Sequence, residues 1–325
     1  MGKNLVTGGS GFIGSHLVEA LIERGHKVKV FDLVHPSKAK NLRHILNNPN
    51  LEYIEGDITS SEQVKEVVTS DLDVIYHLSA IVGVKKYIDN PLLVIDVNVI
   101  GTKNVVEAAS RNSTKVIFAS TSEIYGNNPE IPWSEEGSRL LGPTTVDRWS
   151  YSTSKAVGEH MLLGMHKYRD LPISIVRFFN VYGPRQEPIL VISQSVQRVL
   201  NGQKPLIYDD GKQTRCFTYV KDAVEAIIQI SESESCNGEI YNIGSDIEST
   251  IEKALVTICS VSGVESSFEK IDTQEHYGKS YEDIIRRVPN VSKIFNDLGW
   301  KATTSLEQGI KKTIEWSRAN KWWYD

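Results

Sequence analysis

The chain has 325 residues, of which 40% are hydrophobic and 24% charged, and its formal net charge is −5. These proportions are close to the average of globular proteins, which excludes a disordered, collagen-like or coiled-coil chain. The charges are spread along the sequence without a basic block, and this argues against nucleic acid as a partner.

The apolar runs and the cysteines further limit the class of protein to which the chain can belong. No apolar run approaches the roughly 20 residues that a helix needs to cross a bilayer, so we expect no membrane partner. The cysteines Cys216, Cys236 and Cys259 are odd in number and lack C-x-x-C spacing. This pattern is typical of reduced thiols in the cytoplasm, and not of disulfides or a zinc site. We therefore expect a cytoplasmic protein without a bound metal.

The first half of the chain alternates short apolar runs with amphipathic stretches of helical length. The short runs predict strands at Asn4 to Thr7, Lys27 to Phe31, Leu51 to Glu55, Val74 to His77, Val116 to Ala119 and Ile173 to Arg177. Apolar residues at i, i+3 and i+4 predict helices at Phe12 to Arg24, Leu92 to Ser110 and Tyr151 to Tyr168. This alternation predicts an α/β fold with a doubly wound parallel sheet, which binds ligands at the carboxyl ends of its strands.

After about Phe179 the alternation gives way to loops punctuated by proline and glycine. A short run at Glu239 to Ile243 and helical stretches near Ile251 to Ser260 and Leu306 to Arg318 predict a smaller mixed α/β lobe. We therefore expect a first domain of residues 1–179, to which later segments near residues 212–231 return, and a lobe made mainly of residues 180–325.

The first strand ends in a glycine-rich turn, Thr7-Gly-Gly-Ser-Gly-Phe-Ile-Gly14, that leads into the first helix. Gly8 permits a tight turn, Gly11 lets the backbone approach a pyrophosphate, and Gly14 lets the helix pack closely on the strand. The helix N-terminus adds unpaired N–H groups and a partial positive charge. A strand, this turn and a helix in succession predict a dinucleotide-binding site.

Acidic residues follow the second and third strands. Asp32 can accept hydrogen bonds from ribose hydroxyls and would repel a 2′-phosphate, which favours NAD over NADP. Asp57, followed by Ile58, is placed to meet the adenine. The alternatives are a strand-end aspartate that caps the next turn and a simple turn at Gly56-Asp57.

Tyr151 and Lys155 lie four residues apart in a predicted helix and so project from one face. An ammonium beside a phenol stabilises the phenolate and lowers its pKa, which lets the tyrosine act as a base near neutral pH. The fifth strand runs into Thr121, Ser122 and Glu123, which bring two hydroxyls and a carboxylate to the same edge of the sheet. The alternative for these three is ordinary turn chemistry at a strand end.

Taken together, these motifs resemble the extended short-chain dehydrogenase/reductase family of nucleotide-sugar epimerases, dehydratases and decarboxylases. The segments that carry the resemblance are Thr7 to Gly14, Asp32, Ser120 to Gly126, Tyr151 to Lys155 and Arg177 to Pro184. It implies a Rossmann domain that holds NAD tightly, a lobe that binds a UDP-sugar, and a homodimer formed through two helices per subunit.

The resemblance also implies roles for single residues. The catalytic set is Thr121, Tyr151 and Lys155, with Ser122 and Glu123 as further candidates. Asn180 and Arg215 are expected to bind the substrate diphosphate, and Thr121 the substrate itself. The expected cofactor contacts are Gly8, Gly11, Phe12, Ile13, Gly14, Asp32, Asp57, Ile58, Leu78, Ala80, Tyr151 and Lys155.

Members of the family share a first step, in which the sugar C4 hydroxyl is oxidised to a 4-keto intermediate. The Thr121-Ser-Glu123 sequence resembles the UDP-glucuronate decarboxylases, as do Arg148 to Tyr151, Lys212 to Phe217 and Arg286 to Pro289, whereas the dehydratases have Thr-Asp-Glu. The segment His77 to Val84 resembles the 4-epimerases instead. We favour a UDP-hexuronate decarboxylase over a 4-epimerase acting on UDP-glucose, UDP-N-acetylglucosamine or UDP-glucuronate.

A non-catalytic NAD-binding sensor or scaffold is the alternative from another class. Family members of that kind usually lack the tyrosine or the lysine, and this chain has Tyr151, Lys155 and Thr121. The sequence therefore favours an enzyme.

Overall fold

The computed structural model describes residues 2–273 and 284–324, which divide into two units. The first unit consists of Met1–Ile124, Trp149–Arg177 and Val224–Tyr241, and the second of Tyr125–Arg148, Phe178–Ala223 and Asn242–Asp325. The functional division into a cofactor domain of residues 1–179, with later segments returning to it, and a substrate lobe of residues 180–325 stays a prediction.

The strands are β1 (Lys3–Thr7), β2 (Lys27–Asp32), β3 (Leu51–Glu55), β4 (Val74–His77), β5 (Lys115–Thr121), β6 (Ile173–Phe178), β7 (Val181–Tyr182), β8 (Leu206–Tyr208), β9 (Thr214–Cys216), β10 (Thr218–Tyr219), β11 (Glu239–Ile243), β12 (Glu248–Thr250), β13 (Glu269–Ile271) and β14 (Arg286–Arg287). Seven of them form one sheet in the order β11-β6-β5-β4-β1-β2-β3. The pairs β1–β2, β2–β3, β1–β4 and β4–β5 are parallel. The α/β fold with a parallel sheet is therefore confirmed, and the predicted strand ends are correct to within two residues.

The central strands of this sheet are buried on both faces. Consecutive residues, Leu5 and Val6 in β1 and Val116, Ile117 and Phe118 in β5, are at most 1% exposed. An unbroken apolar run is typical of a parallel strand that is covered by helices on both sides. Polar side chains are therefore placed at the strand ends, where the candidate site lies.

The helices confirm the amphipathic patterns at Phe12, Tyr151, Ile251 and Leu306, with ends that differ by at most three residues, as helix ends often do. They are α1 (Phe12–Glu23), α2 (Ser61–Val67), α3 (Val84–Asp89), α4 (Pro91–Ile95), α5 (Gly101–Asn112), α6 (Arg148–Arg169), α7 (Val191–Leu200), α8 (Val220–Glu232), α9 (Ile251–Ser262), α10 (Ser292–Leu298) and α11 (Leu306–Ala319).

The predicted helix Leu92 to Ser110 is wrong in one respect, because a π-helical turn, Asp96–Ile100, separates α4 from α5. Asn98 lies in that turn and is buried. Its Oδ1 accepts a hydrogen bond from the backbone N–H of Ile81 at 3.0 Å, and its Nδ2 donates to Ser154 Oγ at 3.0 Å. Such turns insert one extra residue into a helix, and apolar periodicity does not reveal them.

Within its described residues, the second unit contains small sheets of two and three strands. The pairs β7–β10 and β8–β13 are parallel. In the sheet β12-β9-β14, β12 is antiparallel and β14 parallel to β9. Helices α7, α9 and α11 pack against one another. The mixed α/β character predicted for the C-terminal part is confirmed.

A buried ion pair fixes α6 to the sheet of the first unit. Arg177, at the end of β6, donates from Nε and Nη2 to the two carboxylate oxygens of Glu159 in α6, at 3.0 and 2.7 Å. Ser120 of β5 donates from Oγ to the same carboxylate. Both charged side chains are only 7% exposed. The bidentate geometry and the extra hydroxyl satisfy a carboxylate that would otherwise be costly to bury.

We expect Arg177→Met to lower the free energy of unfolding by about 3–5 kcal/mol, because the buried Glu159 carboxylate loses its bidentate guanidinium partner. The measurement is equilibrium urea denaturation. The matched control is Arg24→Met, which breaks the exposed Arg24–Glu225 pair and should cost less than about 1 kcal/mol. Equal losses in the two variants would contradict the role given to the buried pair.

Candidate active site

The turn between β1 and α1 has the close backbone approaches that its glycines predict. Gly8 has φ +70°, and a Cβ there would lie 2.9 Å from the backbone nitrogen of Ser79. A Cβ on Gly14 would lie 2.2 Å from the carbonyl oxygen of Gly8, and one on Gly11 3.2 Å from the same oxygen. The turn is thus restricted to glycine at two positions, and it leads directly into the unpaired N–H groups that begin a helix.

Asp32 is the last residue of β2 and is directed at this turn. Its Oδ2 accepts hydrogen bonds from the backbone N–H and the hydroxyl of Ser10, at 2.9 and 2.8 Å. Its Oδ1 accepts from the N–H of Val34 at 3.1 Å. The carboxylate is therefore fixed beside the glycine-rich turn, which is where a ribose-binding acid is required.

The other predicted cofactor contacts lie around the same end of the sheet. Phe12 and Ile13 are the first two residues of α1. Leu78 and Ala80 follow β4, and the N–H of Leu78 donates to the carbonyl of Thr7 at 3.2 Å. Ile58 is buried in the core of the first unit.

Asp57 follows β3 and is engaged in its own turn. Its Oδ1 accepts from both the N–H and the hydroxyl of Thr59, at 2.8 Å each. This is the turn geometry that the sequence offered as the alternative to an adenine contact. The adenine contact stays a prediction.

The residues of the predicted catalytic set come together at the end of β5. Thr121 is the last residue of the strand, and Ser122 and Glu123 begin the 3₁₀ turn that follows. Tyr151 and Lys155 lie in the first two turns of α6. The hydroxyl of Tyr151 is hydrogen-bonded to Thr121 and to a residue of α3, Tyr87.

The pKa of Tyr151 departs from its ordinary value in the direction opposite to the prediction. Burial raises it, and so does the negative charge of Glu123, whereas the hydrogen bonds from Thr121 and Tyr87 lower it by less. The sequence suggested that the ammonium of Lys155 lowers this pKa. That predicted direction is wrong, because the phenol is buried and desolvation penalises its charged form.

Lys155 is held at the strand end by its own hydrogen bond. Its Nζ donates to the carbonyl of Ala119 at 2.7 Å and lies 4.8 Å from the ring centroid of Phe118. Burial lowers the pKa of Lys155 to about 7, and the charge of Glu159 opposes this shift. The ammonium is therefore positioned by the backbone of β5 and supported by the buried carboxylate one turn further along α6.

Sequence reasoning missed a chain of buried polar contacts behind this set. Thr102 Oγ1 donates to the carbonyl of Asn98 at 2.6 Å and so accepts from His77 Nε2 at 3.0 Å. His77 Nδ1 then accepts from Thr7 Oγ1 at 2.8 Å. Burial, with a contribution from Lys155, lowers the pKa of His77 to about 3, so the imidazole is neutral. The sequence signal that could have revealed these contacts is Asn98, a polar residue inside an apolar helical pattern.

In the second unit, Asn180 and Arg215 lie in distinctive backbone settings. Asn180 has φ +41°, a conformation that non-glycine residues adopt mainly where the surroundings enforce it. Arg215 lies in β9, and its cross-strand partner in β14 is Arg287. Directly opposite residues project from the same face of a sheet, so two guanidinium side chains lie side by side. From the sequence, Arg287 belongs only to the motif Arg286 to Pro289, and the strand pairing is what brings it beside Arg215.

Arg215 and Arg287 share this face with Ser249, which pairs with Arg215 from the other side. Both arginines are less than 10% exposed. Guanidinium groups bind anions that have several oxygens, because each planar fork can donate to two of them. The face is therefore suited to a phosphate-rich ligand.

The cysteines are unpaired and buried. Residues 2–273 and 284–324 contain no cluster of three metal-ligating side chains and no helix suited to crossing a membrane.

This combination of fold and site is that of a short-chain dehydrogenase/reductase of the extended type. The chain matches the profile of the family described as GDP-mannose 4,6 dehydratase over residues 5–313. It is 41% identical over 317 residues to the UDP-N-acetyl-α-D-glucosaminuronate decarboxylase of Bacillus cytotoxicus, and the match covers 97% of both chains. It is 32% identical to UDP-glucuronic acid decarboxylase 1 of Arabidopsis thaliana, over 95% of this chain and 68% of the relative.

A solved structure gives the same result. The UDP-glucuronic acid 4-epimerase of Bacillus cereus, in complex with UDP-glucuronic acid and NAD, superposes with a TM-score of 0.87 at 28% identity, covering 98% of this chain and 99% of that one. The chain therefore belongs to this family of NAD-dependent nucleotide-sugar epimerases, dehydratases and decarboxylases. The resemblance inferred from the sequence is confirmed.

We expect Gly14→Ala to abolish detectable NAD binding in isothermal titration, because a methyl group at this position overlaps the carbonyl of Gly8. The control is Gly164→Ala in α6, where an added Cβ meets nothing within 4 Å. That variant should bind NAD as the wild type does and be stabilised by about 0.5–1 kcal/mol. Circular dichroism checks that both variants are folded. Normal NAD affinity in folded Gly14→Ala would contradict the turn's role.

Proposed function

We propose that the chain is an NAD-dependent UDP-hexuronate decarboxylase that passes through a transient 4-keto intermediate. The observation that carries this proposal is the contact set around Tyr151, in which Thr121 supplies a hydrogen bond and Glu123 a nearby negative charge. Full-length similarity to the Bacillus cytotoxicus decarboxylase supports the choice of reaction. An N-acetylated hexuronate is the preferred substrate in this proposal, because identity is 41% to that relative and 32–33% to the plant UDP-glucuronic acid decarboxylases.

The residues present fit NAD. Gly8, Gly11 and Gly14 form a turn that a Cβ would fill, and Asp32 presents a carboxylate beside it. Further contacts in the proposal are Phe12, Ile13, Asp57, Ile58, Leu78, Ala80, Tyr151 and Lys155. When bound, NAD⁺ supplies the acceptor for a hydride and a positive charge close to the reacting carbon.

In the first step, Tyr151 acts as the general base for the C4 hydroxyl of the sugar. The O–H proton passes to the phenolate oxygen of Tyr151, C4 loses a hydride, and the C4–O bond becomes a ketone. Thr121 donates a hydrogen bond to the substrate oxygen or to Tyr151, and Lys155 contributes its positive charge from the carbonyl of Ala119. A phenolate in a buried site needs this support because desolvation opposes its charge.

In the second step, the ketone activates the neighbouring carboxylate for loss. The C4 ketone is β to a carboxylate on C5, so the bond to CO₂ breaks and its electron pair moves into an enolate. A proton then returns to C5, the hydride returns to C4, and the C4 oxygen takes back the proton that Tyr151 accepted in the first step. We assign two roles to Glu123 and Ser122, which follow the end of β5. They place the sugar ring that bears the carboxylate, and they place the proton that returns to C5.

The diphosphate of the substrate is assigned to the second unit. Asn180, held at φ +41°, is proposed to contact it. Arg215 and its cross-strand neighbour Arg287 are proposed to bind its oxygens with two guanidinium forks. Uracil is the nucleobase in the proposal because the decarboxylase relatives are named for UDP-sugars.

A 4-epimerase is the second candidate, and the superposition on the Bacillus cereus UDP-glucuronic acid 4-epimerase favours it. The two reactions share the first step and differ in what happens to the ketone. In an epimerase the ketone turns over and hydride returns to the other face of C4. A non-catalytic NAD-binding sensor is disfavoured by the hydrogen-bonded Thr121 and Tyr151.

We expect purified protein with NAD to convert UDP-N-acetylglucosaminuronate faster than UDP-glucuronate, each with loss of CO₂. Mass spectrometry and NMR of the products measure both. The panel also contains UDP-glucose and UDP-N-acetylglucosamine, on which a decarboxylase does not act.

Tyr151→Phe should lower kcat by about 10²- to 10⁴-fold, the usual contribution of a general base. The control Tyr168→Phe, at an exposed site in the same helix, should leave kcat unchanged. A product of unchanged mass with inverted configuration at C4 would show that the chain is an epimerase. Absence of turnover with every sugar would contradict both reactions and favour the non-catalytic sensor.

We also propose that two copies of the chain associate through the segment from α4 to α5. Its large apolar side chains Leu92, Leu93, Ile95 and Ile100 are between 42% and 72% exposed. Apolar side chains grouped on one exposed helical surface are typical of an interface. The family resemblance implies a second copy as the partner, and a two-fold dimer pairs each surface with itself.

We expect the wild-type protein to sediment as a dimer and the double variant Leu92→Glu/Ile100→Glu to sediment as a monomer, since charges would be buried in the contact. Analytical ultracentrifugation measures both. Ile247→Glu, in a loop of the second unit where the side chain is 69% exposed, is the matched control and should remain dimeric. A monomeric wild type, or a dimeric double variant, would refute the proposed interface.

A further inference from the structure

A second tyrosine lies against the proposed catalytic base. The ring of Tyr87, in α3, is stacked on the ring of Tyr151 with centroids 4.5 Å apart and an interplanar angle of 6°. Both side chains are at most 6% exposed, and with Val94 and Ile81 they form a small apolar cluster of their own. The orientation of the Tyr151 ring is therefore fixed from one face by a parallel aromatic ring.

The hydroxyl of Tyr87 is held in turn by the backbone. It accepts a hydrogen bond from the N–H of Gly83 at 2.8 Å. Gly83 has φ +120°, a conformation open to glycine, and it is the residue before the first turn of α3. A hydroxyl that accepts one hydrogen bond becomes a better donor in the next, because the bonds polarise one another. Tyr87 can thus donate to the oxygen of Tyr151 with its own oxygen already fixed.

Packing alone does not require a tyrosine at this position. A phenylalanine would fill the same space, and a buried phenol must find hydrogen-bond partners for its hydroxyl. The titratable groups set around Tyr151 are Glu123 from the turn after β5, Tyr87 from α3 and Lys155 on α6. Glu123 opposes a phenolate, and Lys155 donates to the carbonyl of Ala119. Thr121 and Tyr87 are therefore the donors to Tyr151, and of these two Tyr87 is the one whose ring also stacks on the base.

We propose that Tyr87 is a positioning residue for Tyr151: its ring holds the base in place, and its hydroxyl donates a hydrogen bond that stabilises the phenolate. The proposal rests on the role of Tyr151 as general base in the proposed function. It assigns to α3, through Gly83 and Tyr87, control over the pH at which that base becomes active.

The test compares Tyr87→Phe, which keeps the stacked ring, with Tyr87→Leu, which removes it. Activity rises with pH as the base loses its proton, so losing a hydrogen bond to the phenolate moves this rise to higher pH. For Tyr87→Phe we expect a shift of about one pH unit and a kcat about 10-fold lower on the acid limb, recovering at higher pH. KM and the NAD dissociation constant should not change.

For Tyr87→Leu we expect kcat to stay below the wild type at every pH, because the orientation of the base is lost as well. Tyr168→Phe is the matched control, since its ring is exposed on α6, and its pH profile should match that of the wild type. A wild-type pH profile in Tyr87→Phe would overturn the proposal and leave Tyr87 a packing residue.

A measurement without turnover separates this proposal from the proposed reaction. The enzyme with bound NAD is labelled with ¹³Cζ-tyrosine, and the Tyr151 resonance is assigned by its absence in Tyr151→Phe. We expect Tyr87→Phe to shift that resonance, because its oxygen loses a hydrogen-bond donor, and Tyr168→Phe to leave it in place. An unmoved resonance in Tyr87→Phe would overturn the proposal, whatever sugar the enzyme converts.

Discussion

Helix α6 is attached to the end of strand β5 by buried polar groups, and the candidate catalytic residues of the helix take their positions from that attachment. Lys155 donates to the carbonyl of Ala119, and Ser152 donates to the carbonyl of Glu123. A buried arginine–glutamate pair holds the middle of the helix to the sheet. The side chains that make these contacts are buried, so the contacts are stronger than they would be at the surface. The distance between the base and the strand end is therefore fixed by the fold itself.

The same burial creates an electrostatic conflict inside the site. Burial raises the pKa of Tyr151 and lowers that of Lys155, so both groups are biased toward the neutral form. The chain offsets part of this cost with hydrogen bonds to Tyr151 from Thr121 and Tyr87. A positive charge bound beside the phenol would favour the phenolate further. In our proposal NAD⁺ supplies this positive charge, so that binding of the cofactor also activates the base.

Polar residues in the π turn and in α5 show how the wider scaffold supports the site. Asn98 links the backbone after β4 to Ser154 of α6. Thr102 and His77 continue the chain of contacts toward Thr7 at the end of β1. The glycine-rich turn, the strand ends and α6 are thereby joined by side chains that do not themselves need to touch a substrate. Burial, with a contribution from the charge of Lys155, lowers the pKa of His77 and keeps its imidazole neutral.

The sequence by itself determined the order of strands and helices along the chain and the glycine-rich turn, and it predicted the candidate set of Thr121, Tyr151 and Lys155, because these depend on local periodicity and on short spacings. Only the tertiary structure decided the rest. It joined Arg287 to Arg215 across two strands and stacked Tyr87 on Tyr151, pairings between residues 72 and 64 positions apart in sequence. It also reversed the expected pKa shift of Tyr151, because desolvation depends on everything that surrounds a side chain and spacing records only its neighbours along the chain.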